Sequence, residues 1–467
     1  IPILEGTIMT ISKVKALRAV LSEKRTTFLF GAGASVPFFS SLGKIEEYMT
    51  SKDITEEGKR LVMFAFYYIA IKDNSILVEY IKKGESENHL DSGSSVMNQY
   101  SRFIFNCVEF LKLRNSRVSP RRTNIFTTNY DLFLEIAVEK NIESNPKIFF
   151  NDGTNGYMKR YLSTENFNKT MLYAGAFDNY ANELPTINLV KCHGSVNWLN
   201  EQNFIGRDRV LVDNSLLDTI KTAEKAEEVW SELQNDIVHD TNFQRSFTIE
   251  ILKDVILGKP VDGFIDSPTE VINYFGKKYY NQLQGISEKI SEIQIVLPTK
   301  RKFQSTLIEE QYFNMLRFLS YELEKEQSVL IAFGFSFLDE HITDIVQRSL
   351  NNPNLLVFIF CYKDGTKGEI INQFSFGANA VPSNIVFITP SDFIMEQAEN
   401  EEETPLPLET NQIRSNDSTI VTYSEEVSVY DNKDAVIDFE AFNRIIEGNL
   451  SEKYIDSQYT EVVDDDE

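Results

Sequence analysis

Four short segments of this 467-residue chain combine glycine with side chains that can bind anions or move protons. In chain order they read GAGAS (residues 31–35), TTNYD (127–131), KCHGS (191–195) and GFSFLD (334–339). Two glycines let a backbone approach a pyrophosphate closely, and the amides that open the following helix point at the anion. A histidine can accept a proton at neutral pH, and carboxylates can orient the reacting groups. The segments therefore indicate phosphate binding combined with acid–base chemistry.

Each segment also has a structural explanation that requires no ligand. A Gly-Ala-rich turn can serve packing, and Asn129 and Asp131 can cap the helix that follows them. His193 can be a buried core histidine, Gly334 a turn glycine and Ser336 a helix cap. All of these explanations must hold at once to remove the functional interpretation, so the four segments together favour a site.

A predicted strand precedes each segment. The apolar runs that predict strands lie at residues 26–30, 124–127, 147–150, 187–190, 295–297, 328–333, 355–360 and 385–388. Near-continuous apolar strands that alternate with helical patterns predict a parallel sheet covered on both faces. The expected fold is therefore an α/β, Rossmann-like parallel sheet with helices on both faces, helical insertions and an acidic C-terminal extension. Because ligands bind outside the carboxyl ends of such strands, the four segments should lie at one edge.

The chain divides into three predicted parts. Residues 1–10 are expected to be a leader or a remnant of cloning, and residues 11–395 to form the sheet domain. Helical inserts are expected at about residues 44–119 and 200–290. A composition break opens residues 396–467, which are predicted to be an acidic linker and a C-terminal interaction segment.

The composition argues against several classes of protein. A hydrophobic content of 42%, with 34 Phe and 20 Tyr, supports a substantial core and argues against global disorder. The three cysteines, Cys107, Cys192 and Cys361, are far apart, which argues against a cysteine-rich zinc site and suits a reducing cytoplasm. The sequence has no run of eighteen apolar residues and no recognisable signal peptide, so we expect a cytoplasmic protein without a membrane span.

The formal charge of −24 is unevenly distributed. Residues 399–467 hold twenty acidic residues against four basic ones and carry −16 of that charge. Nucleic-acid binding needs lysine and arginine to replace counterions. Direct binding of nucleic acid is therefore not expected, whereas the acidic tail can be solvated or can dock on a basic partner.

Extended to FGAGAS, TTNYD, KCHGSVNW and FGFSFLDEHI, the four segments resemble the sirtuin-type NAD-binding domain. The resemblance covers roughly residues 20–395, with insertions. The chain resembles the bacterial sirtuin-like proteins in particular, because their histidine motif is followed by a tryptophan, which is Trp198 here. It implies that Asn129 and Asp131 position the nicotinamide ribose and a water, and that His193 acts as a base. It implies NAD binding by the other matching positions, which are Gly31, Ala32, Gly33, Ser35, Thr128, Gly334 and Ser336.

Two departures from the deacetylating sirtuins bear on the activity. Those enzymes carry a four-cysteine zinc module, which three cysteines cannot build, and their first motif continues differently from VPFF at residues 36–39. Both departures fit the bacterial sirtuin-like proteins that hydrolyse NAD during phage infection. The resemblance therefore implies an NAD glycohydrolase of antiviral defence, with NAD as its substrate and no zinc. A carboxylate and fixed dipoles would stabilise its oxocarbenium-like transition state.

Other functions stay open at this point. A protein deacylase or ADP-ribosyltransferase would need a peptide groove, for which residues 200–290 could replace the zinc module. A non-catalytic sensor of NAD or ADP-ribose would have no need of His193 as a base. The resemblance also implies activation within a homo-oligomer, with a HerA-type ring ATPase as the expected partner and an Argonaute-type protein as the second candidate.

Overall fold

The fold is described from a computed structural model. The residues that the structure describes are 17, 20, 21, 23–39, 43–83, 91–114, 121–145, 147–173, 182–203, 205–215, 217–237, 249–259, 267–296, 306–376, 381–393, 411–414, 420–423 and 435–447. The predicted leader at residues 1–10 lies outside these residues, and so does the end of the acidic tail at residues 448–467.

The strands are short, and most of them lie in two sheets. In chain order they are β1 (Arg25–Phe30), β2 (Arg122–Thr127), β3 (Phe149–Asn151), β4 (Thr154–Asn155), β5 (Arg160–Leu162), β6 (Leu172–Tyr173), β7 (Asn182–Glu183), β8 (Thr186–Lys191), β9 (Gly194–Gln202), β10 (Asp208–Val212), β11 (Ile293–Ile295), β12 (Ser328–Phe333), β13 (Leu356–Phe360), β14 (Ile385–Ile388), β15 (Asn411–Arg414) and β16 (Ile420–Tyr423).

Seven of these strands form the central sheet, in the spatial order β14-β13-β12-β1-β2-β8-β3. All of its neighbouring strands pair in parallel. The chain runs from β1 to β2 and β8 on one side and later returns to β12, β13 and β14 on the other side. The predicted Rossmann-like α/β fold is therefore confirmed. The order in which the chain adds strands to the sheet reverses between β1 and β12, although all the strands remain parallel.

Helices surround this sheet and fill the insertions. They are α1 (Ile45–Thr50), α2 (Glu56–Ala70), α3 (Asn74–Lys83), α4 (Asp91–Leu113), α5 (Phe133–Ser144), α6 (Leu217–Ile237), α7 (Ile249–Leu257), α8 (Pro268–Lys278), α9 (Tyr280–Glu292), α10 (Thr306–Glu324), α11 (Glu340–Ser349), α12 (Asp364–Ile371) and α13 (439–447). A 3₁₀ turn, Ala32–Ser35, follows β1 directly.

The two faces of the central sheet belong to two different hydrophobic clusters. Along β1, Phe28 and Phe30 point to one cluster and Leu29 to the other, because successive side chains of a strand alternate. The first cluster contains residues of the inserted helices α2, α4 and α6–α9, and the second contains residues of α10 and α11. Helices therefore cover both faces, as the apolar strands predict.

The expectation that residues 295–297 return to the parallel sheet is wrong for residues 295 and 296, while residue 297 lies outside the described residues. Strand β11 instead pairs antiparallel with β9 in a separate five-stranded sheet, of order β11-β9-β10-β5-β4. A short apolar run fits a buried strand of either kind, so its composition does not identify the sheet that it joins. The amide of Val296 then donates to the carbonyl of His193 at 2.8 Å, which ties this strand to the histidine segment.

Residues 435–447 pack into the core of the sheet domain, although they lie in the part predicted as an acidic extension. The ring of Phe442 lies 4.5 Å from that of Phe333 and 4.8 Å from that of Phe360, and the ring of Phe439 lies 5.7 Å from that of Phe30. Helix α13 is buried or half-buried along its whole length. The boundary at residue 395 stays a prediction, but part of the chain beyond it contributes to the domain's core.

One helical stretch, Glu56–Val78, is long and apolar enough to cross a membrane by composition alone. Within the protein, 72% of its most apolar window is buried. Burial of this kind is typical of a core helix in a soluble protein, and Phe64, Phe66 and Tyr67 are among its fully enclosed side chains.

Candidate functional site

The strands that precede the four segments end at the same level of the central sheet. Phe30 of β1 pairs with Phe333 of β12 and with Thr127 of β2, and Thr127 pairs with Lys191 of β8. Each of these residues is the last of its strand, so the four segments leave the sheet side by side. The loops after β1 and β12, between which the strand order reverses, also leave the sheet at this edge. Open α/β sheets bind their ligands at such a point.

The first and the last of the four loops pack backbone against backbone. The amide of Gly31 donates to Phe333 O at 3.2 Å, and that of Gly33 donates to Gly334 O at 2.9 Å. A Cβ atom on Gly33 would lie 2.8 Å from Gly334 Cα, and one on Gly334, whose φ is +62°, would lie 2.5 Å from Ala34 N. The loop contact therefore requires these glycines. A phosphate at this edge needs donors other than the amides of Gly31 and Gly33.

Five of the predicted binding residues differ in their exposure to solvent. Ala32, Gly33 and Ser336 are exposed, whereas Thr128 and Gly334 are half-buried. The amide of Thr128 donates to the carbonyl of Phe30 at 3.2 Å and so ties the loop after β2 to the end of β1. These residues surround one edge of the sheet, and their predicted contacts with NAD stay a prediction.

Ser35, Tyr100, Asn129 and Asp131 form one buried hydrogen-bonded group, which we call the asparagine cluster. Ser35 Oγ donates to Asp131 Oδ2 at 2.6 Å and lies 2.9 Å from the hydroxyl of Tyr100. Asn129 Nδ2 donates to Gly31 O at 3.0 Å and approaches Ser35 Oγ and the Tyr100 hydroxyl at 3.1 and 3.4 Å. The loops after β1 and β2 and helix α4 thus meet in a single polar network.

The donors of the asparagine cluster can be counted. A serine hydroxyl has one proton, which Ser35 gives to Asp131, so the hydroxyl of Tyr100 must donate to Ser35. Asn129 Nδ2 has two protons, one for Gly31 O and one shared between Ser35 and Tyr100. None of the described residues donates a hydrogen bond to Asn129 Oδ1, and this oxygen is not among the buried polar atoms that lack a partner. The oxygen of this amide is therefore the atom available to a ligand.

Burial raises the pKa of Asp131, and the nearby Lys191 ammonium and the hydrogen bond from Ser35 oppose part of this rise. Lys191 Nζ donates to the backbone carbonyl of Asp131 and forms an ion pair with Glu135 at 2.9 Å. Burial also raises the pKa of the Tyr100 hydroxyl, and Asp131 raises it further. Buried carboxyl groups with a raised pKa are typical of functional sites, although structural networks produce them too.

His193 and Asp339 form a second polar group, which we call the histidine pair. His193 Nε2 lies 2.9 Å from Asp339 Oδ2, and the two side chains are 15% and 7% exposed. The other carboxylate oxygen, Oδ1, accepts the backbone amides of His341 and Ile342 at 3.0 and 3.2 Å and so caps helix α11. The carboxylate therefore serves the helix and the imidazole at the same time.

Tyr130 stands between the two polar groups. It lies between Asn129 and Asp131 in sequence, and its ring centroid is 6.3 Å from that of His193. Its hydroxyl donates to Val296 O at 2.9 Å, which fixes the ring beside the histidine. The structure thus brings the predicted residues Ser35, Asn129 and Asp131 into direct contact, and connects them to His193 through an aromatic neighbour.

Two contributors to the site were not among the predicted site residues. Asp339 lies in the fourth segment, but no pattern in the sequence indicates its contact with a histidine 146 positions away. Tyr100 lies within the helical insert predicted at about residues 44–119, and no sequence pattern indicates that its hydroxyl reaches Asn129. Only the packing of α4 against the sheet reveals its role.

Within the described ranges, no group of three or more His, Cys, Asp or Glu side chains could hold a metal ion. Cys107, Cys192 and Cys361 are all buried, and none of them forms a disulfide bond. Compared with models of known protein families and with curated protein sequences, the chain gives no match. Fold and site thus define a Rossmann-like α/β protein with two polar groups at the carboxyl edge of its parallel sheet.

Proposed function

We propose that this protein is an NAD glycohydrolase, which cleaves NAD to nicotinamide and ADP-ribose. The observation that carries the proposal is the side-by-side exit of the four segments from the sheet, with Asn129, Asp131 and His193 at one edge. These are the positions that the sirtuin-type resemblance implies for chemistry. The absence of a four-cysteine module from a chain with three cysteines favours hydrolysis over deacetylation.

In the proposed reaction, the bond between the nicotinamide nitrogen and the ribose C1′ breaks, and its electron pair goes to the nicotinamide ring. Water forms the new bond to C1′, and its proton goes to His193. Positive charge develops on the ribose as the bond breaks, so the carboxylate of Asp131 and the amide dipole of Asn129 stabilise the transition state. The open Oδ1 atom of Asn129 suits the positioning of a ribose hydroxyl or of the water.

A constitutive NAD hydrolase would kill its own cell, so we further propose that the activity depends on assembly. By resemblance, the protein acts in the cytoplasm as an NAD-depleting effector of bacterial antiviral defence and forms a homo-oligomer. A HerA-type ring ATPase is the proposed activating partner, and an Argonaute-type protein is the second candidate.

The test is chromatographic analysis of NAD incubated with the full chain, alone and together with each candidate partner. We expect nicotinamide and ADP-ribose in equal amounts from the wild type, and neither from His193→Ala or Asn129→Ala. His341→Ala is the matched control, because this second histidine is exposed on helix α11 and has no place in the proposed reaction. It should keep the activity of the wild type.

The same experiment separates the alternatives. Binding of NAD without cleavage under every condition would replace the hydrolase by a sensor of NAD or ADP-ribose. Cleavage that occurs only when an acylated peptide or an acceptor protein is present would favour a deacylase or an ADP-ribosyltransferase.

A further inference from the structure

We propose that Asp339 is a positioning residue for His193. Asp339 holds the imidazole of His193 with its proton on Nε2 and leaves Nδ1 as the nitrogen that accepts a proton. The assignment rests on the geometry of the histidine pair. Only the identity of the proton that Nδ1 takes rests on the proposed NAD hydrolysis.

The hydrogen bond of the histidine pair determines which ring nitrogen carries the proton. His193 Nε2 lies 2.9 Å from Asp339 Oδ2, and an ionised carboxylate can only accept. In the neutral imidazole one nitrogen is a donor and the other an acceptor. The bond therefore places the proton on Nε2 and the lone pair on Nδ1, as an acidic partner does for many histidines.

Helix α11 fixes the orientation of the Asp339 carboxylate. Its Oδ1 atom accepts the amides of His341 and Ile342, so rotation of the carboxylate would remove the cap of α11. Two backbone donors also favour the ionised form of the carboxyl group. The carboxylate is thus held from one side by the helix and presents its second oxygen to His193.

The backbone that leads to Asp339 has an unusual conformation. Phe337 is buried and has a φ of +59°, a conformation that a non-glycine residue rarely adopts. Its ring packs 5.0 Å from that of Phe374, and its carbonyl accepts the hydroxyl of Thr343 at 2.9 Å. Strain of this kind costs about 1–3 kcal/mol and persists only where the surroundings enforce it. Asp339 follows this enforced conformation two residues later and contacts His193.

Two described tyrosines beside the pair direct their hydroxyls to acceptors other than the imidazole. Tyr130 donates its hydroxyl to Val296 O, and the hydroxyl of Tyr312 lies 3.5 Å from each oxygen of Asp339. Burial raises the pKa of both phenols, so both stay neutral near Asp339. Tyr312 therefore supports the carboxylate, and Asp339 remains the acidic partner of His193.

The test uses the full chain with ¹⁵N in its histidines, of which there are four. Long-range proton–nitrogen spectra at a mildly alkaline pH show which ring nitrogen carries the proton, and His193→Gln assigns the signal. We expect the wild type to carry the proton on Nε2. Asp339→Asn keeps an oxygen for the helix cap, because Asn caps as well as Asp, but turns an NH₂ donor toward His193. We expect this variant to move the proton to Nδ1.

Glu340→Gln is the matched control, since it removes a negative charge from the next residue, which is exposed and lies in the first turn of α11. It should leave the ring proton on Nε2. A wild-type proton on Nδ1, or an Asp339→Asn spectrum equal to that of the wild type, would overturn the proposal.

A second readout links the pair to turnover. With NAD as substrate, Asp339→Asn should lower kcat about 10²–10⁴-fold with little change in KM, as expected of a histidine held in the wrong tautomer. Unchanged turnover in a variant whose proton has moved would contradict the role of Nδ1. If the proton moves as expected but the wild type never cleaves NAD, the positioning role stands and the hydrolase proposal fails.

Discussion

The asparagine cluster and the histidine pair lie at the same edge of the sheet but are built differently. The cluster joins four side chains from three parts of the chain, and its donors are used within the protein. The pair consists of one hydrogen bond, and the imidazole is the more exposed partner. We infer that the cluster is built to hold its members in place, whereas the pair leaves one ring nitrogen for chemistry.

The two groups also differ in their support. Tyr100 of the cluster stacks on Phe133 at 5.3 Å and meets the edge of Phe439 at 4.8 Å, so it is part of the aromatic core. The pair instead depends on the cap of α11 and on the strained turn at Phe337. Substitutions in the cluster should therefore affect stability as well as activity, whereas substitutions in the pair should mainly affect activity.

The largest effect should come from His193→Gln. This variant keeps an amide donor for Asp339 but has no base, so we expect the turnover of NAD to fall about 10²–10⁴-fold. The free energy of unfolding, measured by urea denaturation, should change by less than about 1 kcal/mol. A loss of stability as large as that of a cluster variant would contradict the distinction between the two groups.

The next largest effect is expected for Phe439→Ala, which tests the support of the cluster. Removal of a buried phenylalanine costs about 3–5 kcal/mol, and urea denaturation should show this loss. Phe105→Ala on helix α4 is the control, since this side chain is 48% exposed and its loss should cost less than about 0.5 kcal/mol. Equal tolerance of both changes would mean that residues 435–447 do not support the core.

A smaller effect is expected for Ser35→Ala, which removes the centre of the cluster. The hydroxyl of Tyr100 and one oxygen of Asp131 lose their partner, and the free energy of unfolding should fall by about 1–3 kcal/mol. Ser336→Ala changes an exposed serine and should alter stability by less than about 0.5 kcal/mol. If Ser336 contacts NAD as the resemblance implies, that variant should raise KM, which turnover assays would detect.

The smallest effect is the pH dependence that Asp131 adds to stability. Its pKa is raised from 3.8 in the folded protein, so the unfolded chain ionises first as the pH rises. The wild type should therefore lose stability through the range above pH 3.8, up to the folded pKa, and Asp131→Asn should lack this loss. Urea denaturation of both proteins over this range measures the difference. A difference that stays constant with pH would mean that the pKa of Asp131 is not raised by folding.

Sequence reasoning predicted the sheet and the shared edge of the four segments better than it predicted the contacts between their side chains. Strands such as β1 and β12 are apolar on both faces, and this pattern is local, so it can be recognised in sequence. The pairing of β11 with β9 could not be recognised in that way, because an apolar run does not specify the strand with which it pairs. The contribution of residues 435–447 to the core was missed because the charge of the whole tail was considered together, although this stretch is itself mainly apolar.

The sequence by itself determined the parallel sheet and the order of its four polar segments, because both follow from patterns within a few neighbouring residues. Only the tertiary structure decided that Tyr100 joins Asn129 and that Asp339 holds His193. These contacts join residues 29 and 146 positions apart in the chain. Their geometry is set by how helices α4 and α11 pack on the sheet, which the spacing of residues along the chain does not specify.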